Sequence, residues 1–416
     1  MTTKAKKNEQ PKFEHITLKN EIPYVTYNVK NDNGNSTQKL ILNNKYYSQQ
    51  NIYVKDKPKK ETDREPMSFV PNLLDNLHVN IISSQVKTTG DLYVGKKALS
   101  SNKIPNNMSI NLGRKHKEDL PVINTLALIA GVALQESIEL TNDIPESVKV
   151  TCNMATALPL LEWDNTTSDI FSKRFINDEQ PHKVNVYLGN LNVTVEITFK
   201  NTIVIPEGIA ALYSLVQDEN SYYREGEIFK EFIEEYGLQE FTGEDIINMR
   251  RKKLDLDIGD GTIEFPVTQG YLPDTTLSSG KPWGIGKIVD LALPEFIDQY
   301  GFEDLSRQEF MTMVTDTSDS YHIEAKAKFY EYTEDHVDLI VRYVRDLINK
   351  SRKAFELIVV YGGGSILLKD ALYPALKELA EESKAKVLYI PEEYAVNMNV
   401  DGLSILLEQA LKQSNQ

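Results

Sequence analysis

The stretch Leu254-Asp-Leu-Asp-Ile-Gly-Asp-Gly-Thr-Ile-Glu-Phe265 decides how this chain folds. Apolar and acidic residues alternate up to Ile258, which predicts a strand with its leucines on one face and Asp255 and Asp257 on the other. The glycines that follow permit a tight turn and a close approach of the backbone. Such a turn presents N–H groups to anions, and an Asp beside it can hold Mg²⁺. The stretch therefore predicts nucleotide binding, with a plain hairpin as the alternative.

Composition and charge limit the classes of function. The chain has 416 residues, of which 41% are apolar, enough for two domains or one bilobal unit. Its net charge of −15 argues against a nucleic-acid-binding surface and against attachment to anionic lipid. A single cysteine, Cys152, excludes an internal disulfide. We expect no apolar run of transmembrane length and no signal peptide, and therefore a cytoplasmic protein that binds neither membrane nor nucleic acid directly.

A second acidic turn lies near the N-terminus, in Asp32-Asn-Gly-Asn-Ser-Thr-Gln-Lys39. It combines an acid, a glycine two residues later, small hydroxyl residues and a lysine at the head of the next strand. Asn-Gly between strands is also the commonest hairpin signal, so a purely structural turn is the alternative. The similarity of this turn to the one after Ile258 adds weight to a second phosphate-binding hairpin.

Two further motifs follow strands. Gly362-Gly-Gly-Ser365 comes after the apolar run Leu357–Tyr361 and before a predicted helix, where glycines let the backbone approach a base or ribose. A tight structural turn is the alternative. Pro206-Glu207-Gly208 lies where a strand becomes a helix, so Glu207 is either a helix cap or a carboxylate that orients a water near bound phosphates. The six histidines show no metal-ligand spacing.

Taken in order, these motifs resemble those of the actin-like ATPases, and within them the ParM-type plasmid-segregation actins of bacteria. Shorter similarities at 92–98, 156–160 and 393–397 support the resemblance. It implies an α/β fold in which two related domains flank a nucleotide cleft. The expected division is a flexible tail at 1–23, a first domain at 24–252 plus 396–416, and a second domain at 253–395.

The resemblance also implies a cofactor, Mg²⁺ with ATP or GTP, and the residues that bind it. Asp32 and Asp257 would hold Mg²⁺, largely through water. Glu207 would orient the attacking water, with Asp257 as the other catalytic residue. The expected nucleotide-binding residues come from the three glycine-containing motifs: Asp32, Gly34, Asn35, Ser36, Thr37, Lys39, Gly259, Asp260, Gly261, Thr262, Gly362, Gly363, Gly364 and Ser365.

The function implied by the resemblance is that of a filament protein. Its subunits would assemble with nucleotide, hydrolyse ATP or GTP, and drive plasmid DNA segregation through an adaptor protein bound to a centromere-like site. The charged loop 55–66 and the segment 217–251 are candidate filament contacts, with a solvated loop as the alternative. A small-molecule kinase or another non-polymerising ATPase of the same fold remains the alternative function.

Three residues depart from the expected pattern around the turn after Ile258. Asp255 stands where such strands usually carry an apolar residue. Pro266 interrupts the return strand, where it cannot donate a ladder hydrogen bond. Asp260 adds negative charge inside the turn, which would repel phosphate unless the side chain points away or helps to hold Mg²⁺.

Overall fold

The computed structural model describes residues 13–56, 64–101, 103–108 and 114–414. The described residues divide into two compact units. The first includes Lys115–Thr156, Asn165–Val204 and the described residues up to Met108, and the second includes Ala157–Asp164 and the described residues from Ile205 onward. Compactness thus groups residues 205–252 with the second unit. The domain boundaries expected from the sequence stay a prediction. Part of the predicted tail, 1–12, and most of the charged loop, 57–63, lie outside the described residues.

The first unit is built on a ten-stranded sheet in the order β4-β3-β2-β8-β10-β9-β6-β7-β5, with β1 paired to β2. Residues 16–19 belong to this sheet as β1, where the sequence suggested a flexible tail. The hairpin of β2 and β3 carries the first acidic turn. The strands are β1 Ile16–Lys19, β2 Ile22–Asn33, β3 Thr37–Leu42, β4 Lys45–Gln50, β5 Tyr53–Lys55, β6 His78–Ile82, β7 Asp91–Val94, β8 Ser147–Leu158, β9 His182–Leu188 and β10 Leu191–Pro206.

The α-helices in the described part of the first unit are α1 Lys96–Leu99, α2 Asp119–Thr141 and α3 Asn165–Ile176. Helix α2 is long and apolar enough to cross a membrane by length and composition, so the expectation that no apolar run reaches that length is wrong. The protein itself buries 94% of the apolar window of α2. A core helix of a globular unit has this burial.

A buried carboxylate joins α2 to the start of the sheet. Glu136 lies 2.8 Å from His15 Nε2, and it accepts hydrogen bonds from the Tyr27 hydroxyl at 2.6 Å and from Lys45 Nζ at 2.6 Å. Burial raises the pKa of Glu136, but the hydrogen bonds from Lys45, Tyr27 and His15 outweigh it and leave the pKa below its ordinary value. Glu136 thereby fixes strands β2 and β4 to the helix.

The second unit has a seven-stranded sheet in the order β14-β13-β11-β12-β15, with β16 paired to β11 and to β17. Strands β11 and β16 run parallel, with Asp255 opposite Val359 and Asp257 opposite Tyr361. Their carboxyl ends therefore place the turn at 259–262 and the glycines at 362–364 on the same edge of the sheet. The strands are β11 Lys252–Ile258, β12 Ile263–Phe265, β13 Val267–Gln269, β14 Leu272–Pro273, β15 Ser279–Lys281, β16 Phe355–Tyr361 and β17 Lys386–Tyr389.

Helices cover both faces of this sheet. The face that carries Leu254 and Leu256 packs into a core with α7, α10 and α11, and the opposite face, with Val359 and Tyr361, packs against α4 and α5. The segment 217–251, a candidate filament contact, contributes Phe229 and Phe232 to the second of these cores. The helices are α4 Ile209–Val216, α5 Lys230–Tyr236, α6 Gly243–Ile247, α7 Gly286–Tyr300, α8 Arg307–Thr315, α9 His322–Glu331, α10 Thr333–Lys350, α11 Gly363–Ser383, α12 Glu392–Ala395 and α13 Met398–Ser414.

Candidate functional site

The turn at residues 259–262, called here the second turn, has its carbonyl oxygens bound by a neighbouring segment. The N–H groups of residues 284, 285 and 286 donate to the carbonyls of Gly261, Gly259 and Asp260 at 3.2, 3.1 and 2.8 Å. Within the described residues, the N–H groups of Asp260, Gly261 and Thr262 have no acceptor. Three consecutive N–H groups without a protein acceptor can donate hydrogen bonds to an anion.

The segment at residues 284–286, called here the backing segment, must be glycine at both ends. A Cβ at Gly284 would overlap the Asp260 carbonyl, and one at Gly286 would lie 2.9 Å from the same oxygen. The sequence patterns considered above did not predict this segment. Its signal was Trp283-Gly-Ile-Gly286 at the start of a helix, a pattern in which paired glycines permit close backbone approach.

The turn at residues 34–36, called here the first turn, is bound in a similar way by Asn51. The Asn51 N–H donates to Ser36 O at 2.8 Å, and Asn51 Nδ2 donates to Gly34 O at 2.7 Å. The described residues provide no acceptor for the N–H groups of Gly34, Asn35 and Ser36. Both turns therefore combine bound carbonyls with three consecutive N–H groups that can bind an anion.

Asp32 and Lys39 flank the first turn. They are opposite each other in the β2–β3 register, and Lys39 Nζ lies 3.7 Å from Asp32 Oδ2. Thr37, the remaining predicted residue of this motif, begins β3. A carboxylate and a lysine at the base of an anion-binding turn can hold a hydrated cation and a phosphate, respectively.

A buried amide network supports the first turn from behind. Gln38 Nε2 donates to Asn31 Oδ1 at 3.0 Å and to Thr125 Oγ1 of α2 at 2.9 Å, and Gln49 Nε2 donates to Gln38 Oε1 at 2.9 Å. These hydrogen bonds connect strands β2, β3 and β4 to one another and to α2 behind the turn.

The third glycine motif lies directly against strand β11. Gly362 has φ +94°, and a Cβ there would lie 2.5 Å from Ile258 O and 2.7 Å from Asp257 Oδ1. Gly363 begins α11, is exposed and would meet nothing within 4 Å, so this position is open to a ligand. Ser365 is buried, and its hydroxyl donates to Gly362 O at 2.8 Å within the same turn. The structure thus brings Asp257 and the glycine motif together.

Glu207 lies in the same unit, at the junction of β10 and α4. Its N–H donates to Leu158 O at 2.8 Å. The next residue, Gly208, has φ +80°, and a Cβ there would overlap the Pro266 ring. Pro266 separates β12 from β13, and its carbonyl accepts the Asp255 N–H at 2.8 Å. The proline that interrupts the return strand thus packs against the start of α4.

Asn399 of α13 joins the Glu207 junction to Asp257. Its Nδ2 donates to Asp257 Oδ2 at 2.8 Å, and its Oδ1 accepts the Gly208 N–H at 3.3 Å. A Cβ at Gly402 would overlap the Ala210 carbonyl, so this glycine lets α13 approach α4 closely. Asn399 was not predicted from the sequence, because its only signal is an amide residue three positions before the Gly of Asp401-Gly402.

The unexpected acid Asp255 is paired inside the unit. Asp255 and Lys253 form an ion pair, with side chains 1% and 3% exposed. Burial raises the pKa of Asp255, and burial lowers the pKa of Lys253. Tyr361 is fully buried on the same face, and burial together with the nearby carboxylates of Asp255 and Asp257 raises its pKa well above the ordinary value. Asp255 therefore lies beneath the site and not on an exposed edge.

The donor set bears on the expected Mg²⁺. Within the described residues, no group of three or more His, Cys, Asp or Glu side chains converges on one metal position. The described part of the chain thus has no metal cage built from three or more of these side chains. Mg²⁺ commonly keeps several waters and binds one or two carboxylates together with phosphate oxygens. Asp32 beside the first turn and Asp257 beside the second turn are each a carboxylate of this kind.

Comparisons with known proteins identify the fold. No family model matches the chain. No curated protein matches it either. Among solved structures, it is similar to Bacillus thuringiensis ParM with ADP, with a TM-score of 0.59 at 14% identity, over 93% of this chain and 99% of that one. It is also similar to the actin-like protein Alp7A, with a TM-score of 0.64 at 14% identity, over 94% of this chain and 98% of that one. A third similar structure is Ta0583, an archaeal actin homolog, with a TM-score of 0.59 at 16% identity, over 92% of this chain and 99% of that one. The predicted α/β actin-like fold is confirmed.

Proposed function

We propose that this chain is a self-assembling actin-like protein that binds Mg²⁺–nucleotide and hydrolyses ATP, GTP or both. The observation that carries the proposal is the shared construction of the two turns, in which the carbonyls are bound and three consecutive N–H groups are left for an anion. The comparisons support nucleotide as that anion, because the Bacillus thuringiensis ParM structures contain ADP in one case and ATP in another.

We assign the nucleotide contacts to the three motifs. The N–H groups of the first and second turns would bind phosphate oxygens, and Lys39 would neutralise phosphate charge. Gly362–Gly364 would flank the base and ribose, with the exposed Gly363 nearest to the ligand. Asp32 and Asp257 would hold Mg²⁺ through its waters, and bound Mg²⁺ neutralises charge on the β- and γ-phosphates.

We assign the orientation of the attacking water to Glu207. Phosphoryl transfer depends mainly on positioning and on electrostatic stabilisation, so a carboxylate held in one place is what the reaction requires. The bridge from Gly208 through Asn399 to Asp257 would hold Glu207 at a constant position relative to the second turn.

Assembly would follow from nucleotide binding, and hydrolysis would make the filament labile. Filaments of this kind form through head-to-tail contacts that do not close. As the cellular role we propose plasmid DNA segregation in a bacterial cytoplasm, through an adaptor protein bound to a centromere-like site. The net charge of −15 supports an adaptor over direct DNA binding.

Phosphate release from ATP and GTP, with and without Mg²⁺, tests the enzymatic part of the proposal. We expect release with at least one nucleotide and its loss when Mg²⁺ is chelated. Absence of release with both nucleotides would contradict hydrolysis. Formation of the diphosphate without free phosphate, only when a small hydroxyl or carboxylate acceptor is added, would favour the kinase alternative, because the γ-phosphoryl group is then transferred to that acceptor.

A further inference from the structure

Asp260 places a carboxylate inside the second turn, whose N–H groups at residues 260–262 have no acceptor among the described residues. Its backbone carbonyl is bound by the Gly286 N–H at 2.8 Å, and its side chain extends toward Arg307, with Asp260 Oδ1 3.8 Å from Arg307 Nη2. An uncompensated carboxylate at this position would repel a triphosphate. Burial raises the pKa of Asp260, and the Arg307 guanidinium opposes that rise.

Several contacts place the Arg307 guanidinium at the turn. Arg307 is the first residue of α8, directly after Ser306, whose hydroxyl accepts the Glu309 N–H at 3.2 Å as a helix cap. A Cβ at Gly286 would overlap Arg307 Nη2, so the guanidinium lies over this glycine. Its other nitrogen, Nη1, lies 3.5 Å from Asp290 Oδ1 of α7. The backing segment thus positions both the turn and the cation beside it.

We propose that Arg307 is a positioning residue for nucleotide phosphate, because it neutralises Asp260 and so allows the second turn to bind an anion. The proposal rests on the nucleotide binding proposed above. Arg307 and Asp260 are 38% and 29% exposed and 3.8 Å apart, a geometry that contributes little to folding stability. The charge of Arg307 acts instead on the local potential at the turn, where a phosphate would lie.

Binding measurements on four proteins test this role: wild type, Arg307→Ala, Asp260→Asn and the double variant. The ligands are the triphosphate, the diphosphate and the nucleoside of whichever base the wild type prefers. We expect Arg307→Ala to weaken triphosphate binding about tenfold and nucleoside binding by less than about twofold, because only the phosphates interact with the charge of Asp260. The double variant should recover most of the lost affinity, since it removes the carboxylate that Arg307 neutralises.

Two further variants keep the result interpretable. Arg307→Lys retains the charge and should retain most of the triphosphate affinity. Arg345→Ala removes an arginine that pairs with Glu382 at 2.9 Å on helices α10 and α11, and it should bind like the wild type. Triphosphate binding by Arg307→Ala at wild-type affinity, or a double variant no better than Arg307→Ala, would overturn the role of Arg307. If the wild type binds neither ATP nor GTP, the proposed function is overturned as well.

Discussion

Asn399 Nδ2 donates a hydrogen bond to Asp257 Oδ2 at 2.8 Å. The same side chain accepts the N–H of Gly208, the residue after Glu207, at 3.3 Å. One amide therefore connects the end of β11 with the start of α4, and the close contact of Gly402 with Ala210 keeps α13 in register with α4. The last helix of the chain thereby sets the spacing between the two residues proposed to be catalytic.

Removing this bridge should affect hydrolysis more than binding. We expect Asn399→Ala to lower kcat for nucleotide hydrolysis about 10²-fold with a small change in nucleotide Kd, because small errors in position are costly in phosphoryl transfer. Single-turnover phosphate release and equilibrium binding separate the two effects. Ser404→Ala, on the same helix, is the control. A kcat of Asn399→Ala within about twofold of the wild type would show that the bridge does not position the site.

Glu207 is predicted to act in hydrolysis alone. We expect Glu207→Gln to keep nucleotide affinity and to lose about 10²–10⁴-fold in the rate of phosphate release, the range typical of a positioned general base. Glu219→Gln changes an exposed glutamate of the following segment and should leave the rate unchanged. Phosphate release at the wild-type rate in Glu207→Gln would remove Glu207 from the mechanism.

The backing segment offers a test of the second turn. In Gly284→Ala the new methyl group would overlap the Asp260 carbonyl, so the turn must shift. We expect at least about a tenfold loss of triphosphate affinity together with a cost of about 1–3 kcal/mol in the free energy of unfolding. Binding titrations and denaturant melts measure these two quantities. Lys287→Ala, an exposed neighbour, is the control, and unchanged triphosphate affinity in Gly284→Ala would contradict the role of the segment.

Glu136 predicts how the stability of the first unit changes with pH. Its pKa in the folded protein is below the ordinary value of 4.5, so its contribution is fully present above about pH 4.5 and is lost as the pH falls through the folded pKa. Glu136→Gln should destabilise by about 2–3 kcal/mol at neutral pH and should show a smaller loss of stability on acidification. Urea melts across acidic pH check this, with the exposed Glu139→Gln as control. Parallel pH profiles for Glu136→Gln and the wild type would contradict the assignment.

The buried pair of Lys253 and Asp255 should behave as a unit. Removal of one partner, by Lys253→Met or by Asp255→Leu, leaves the other charge buried without its counter-charge and should cost about 3–5 kcal/mol. The apolar double variant Lys253→Met, Asp255→Leu should cost much less, because it removes both desolvated charges. Denaturant melts of the two single variants and the double variant give the coupling free energy. Additive effects would show that the pair is not coupled.

Local patterns in the sequence predicted much of this arrangement. Alternation and glycine spacing predicted β11, the hairpin of β2 and β3, and the glycines after β16, because these features depend on residues adjacent in the chain. The fold confirmed by comparison is the one that these motifs indicated. The strand β1 was missed because its short sequence resembles the polar residues before it.

The supporting residues could not be predicted because they come from distant parts of the chain. Asn399 reaches Asp257 across 142 positions, and Asn51 closes the first turn from the end of β4. Asp255 and Lys253 are close in sequence, so their pairing is local. The burial of this pair depends on the helices that pack over β11. Each of these contacts depends on tertiary packing, and tertiary packing cannot be read from local patterns in a single sequence.

Nucleotide-dependent assembly tests the central claim most directly. Purified protein is incubated with Mg²⁺ and ATP, GTP or no nucleotide, and 90° light scattering is followed by sedimentation of any polymer. We predict scattering and pelleted protein with at least one triphosphate, neither of them without nucleotide, and a more persistent polymer for Glu207→Gln, because hydrolysis no longer makes the filament labile. Protein that stays in the supernatant with both nucleotides at high micromolar concentration would contradict the filament function.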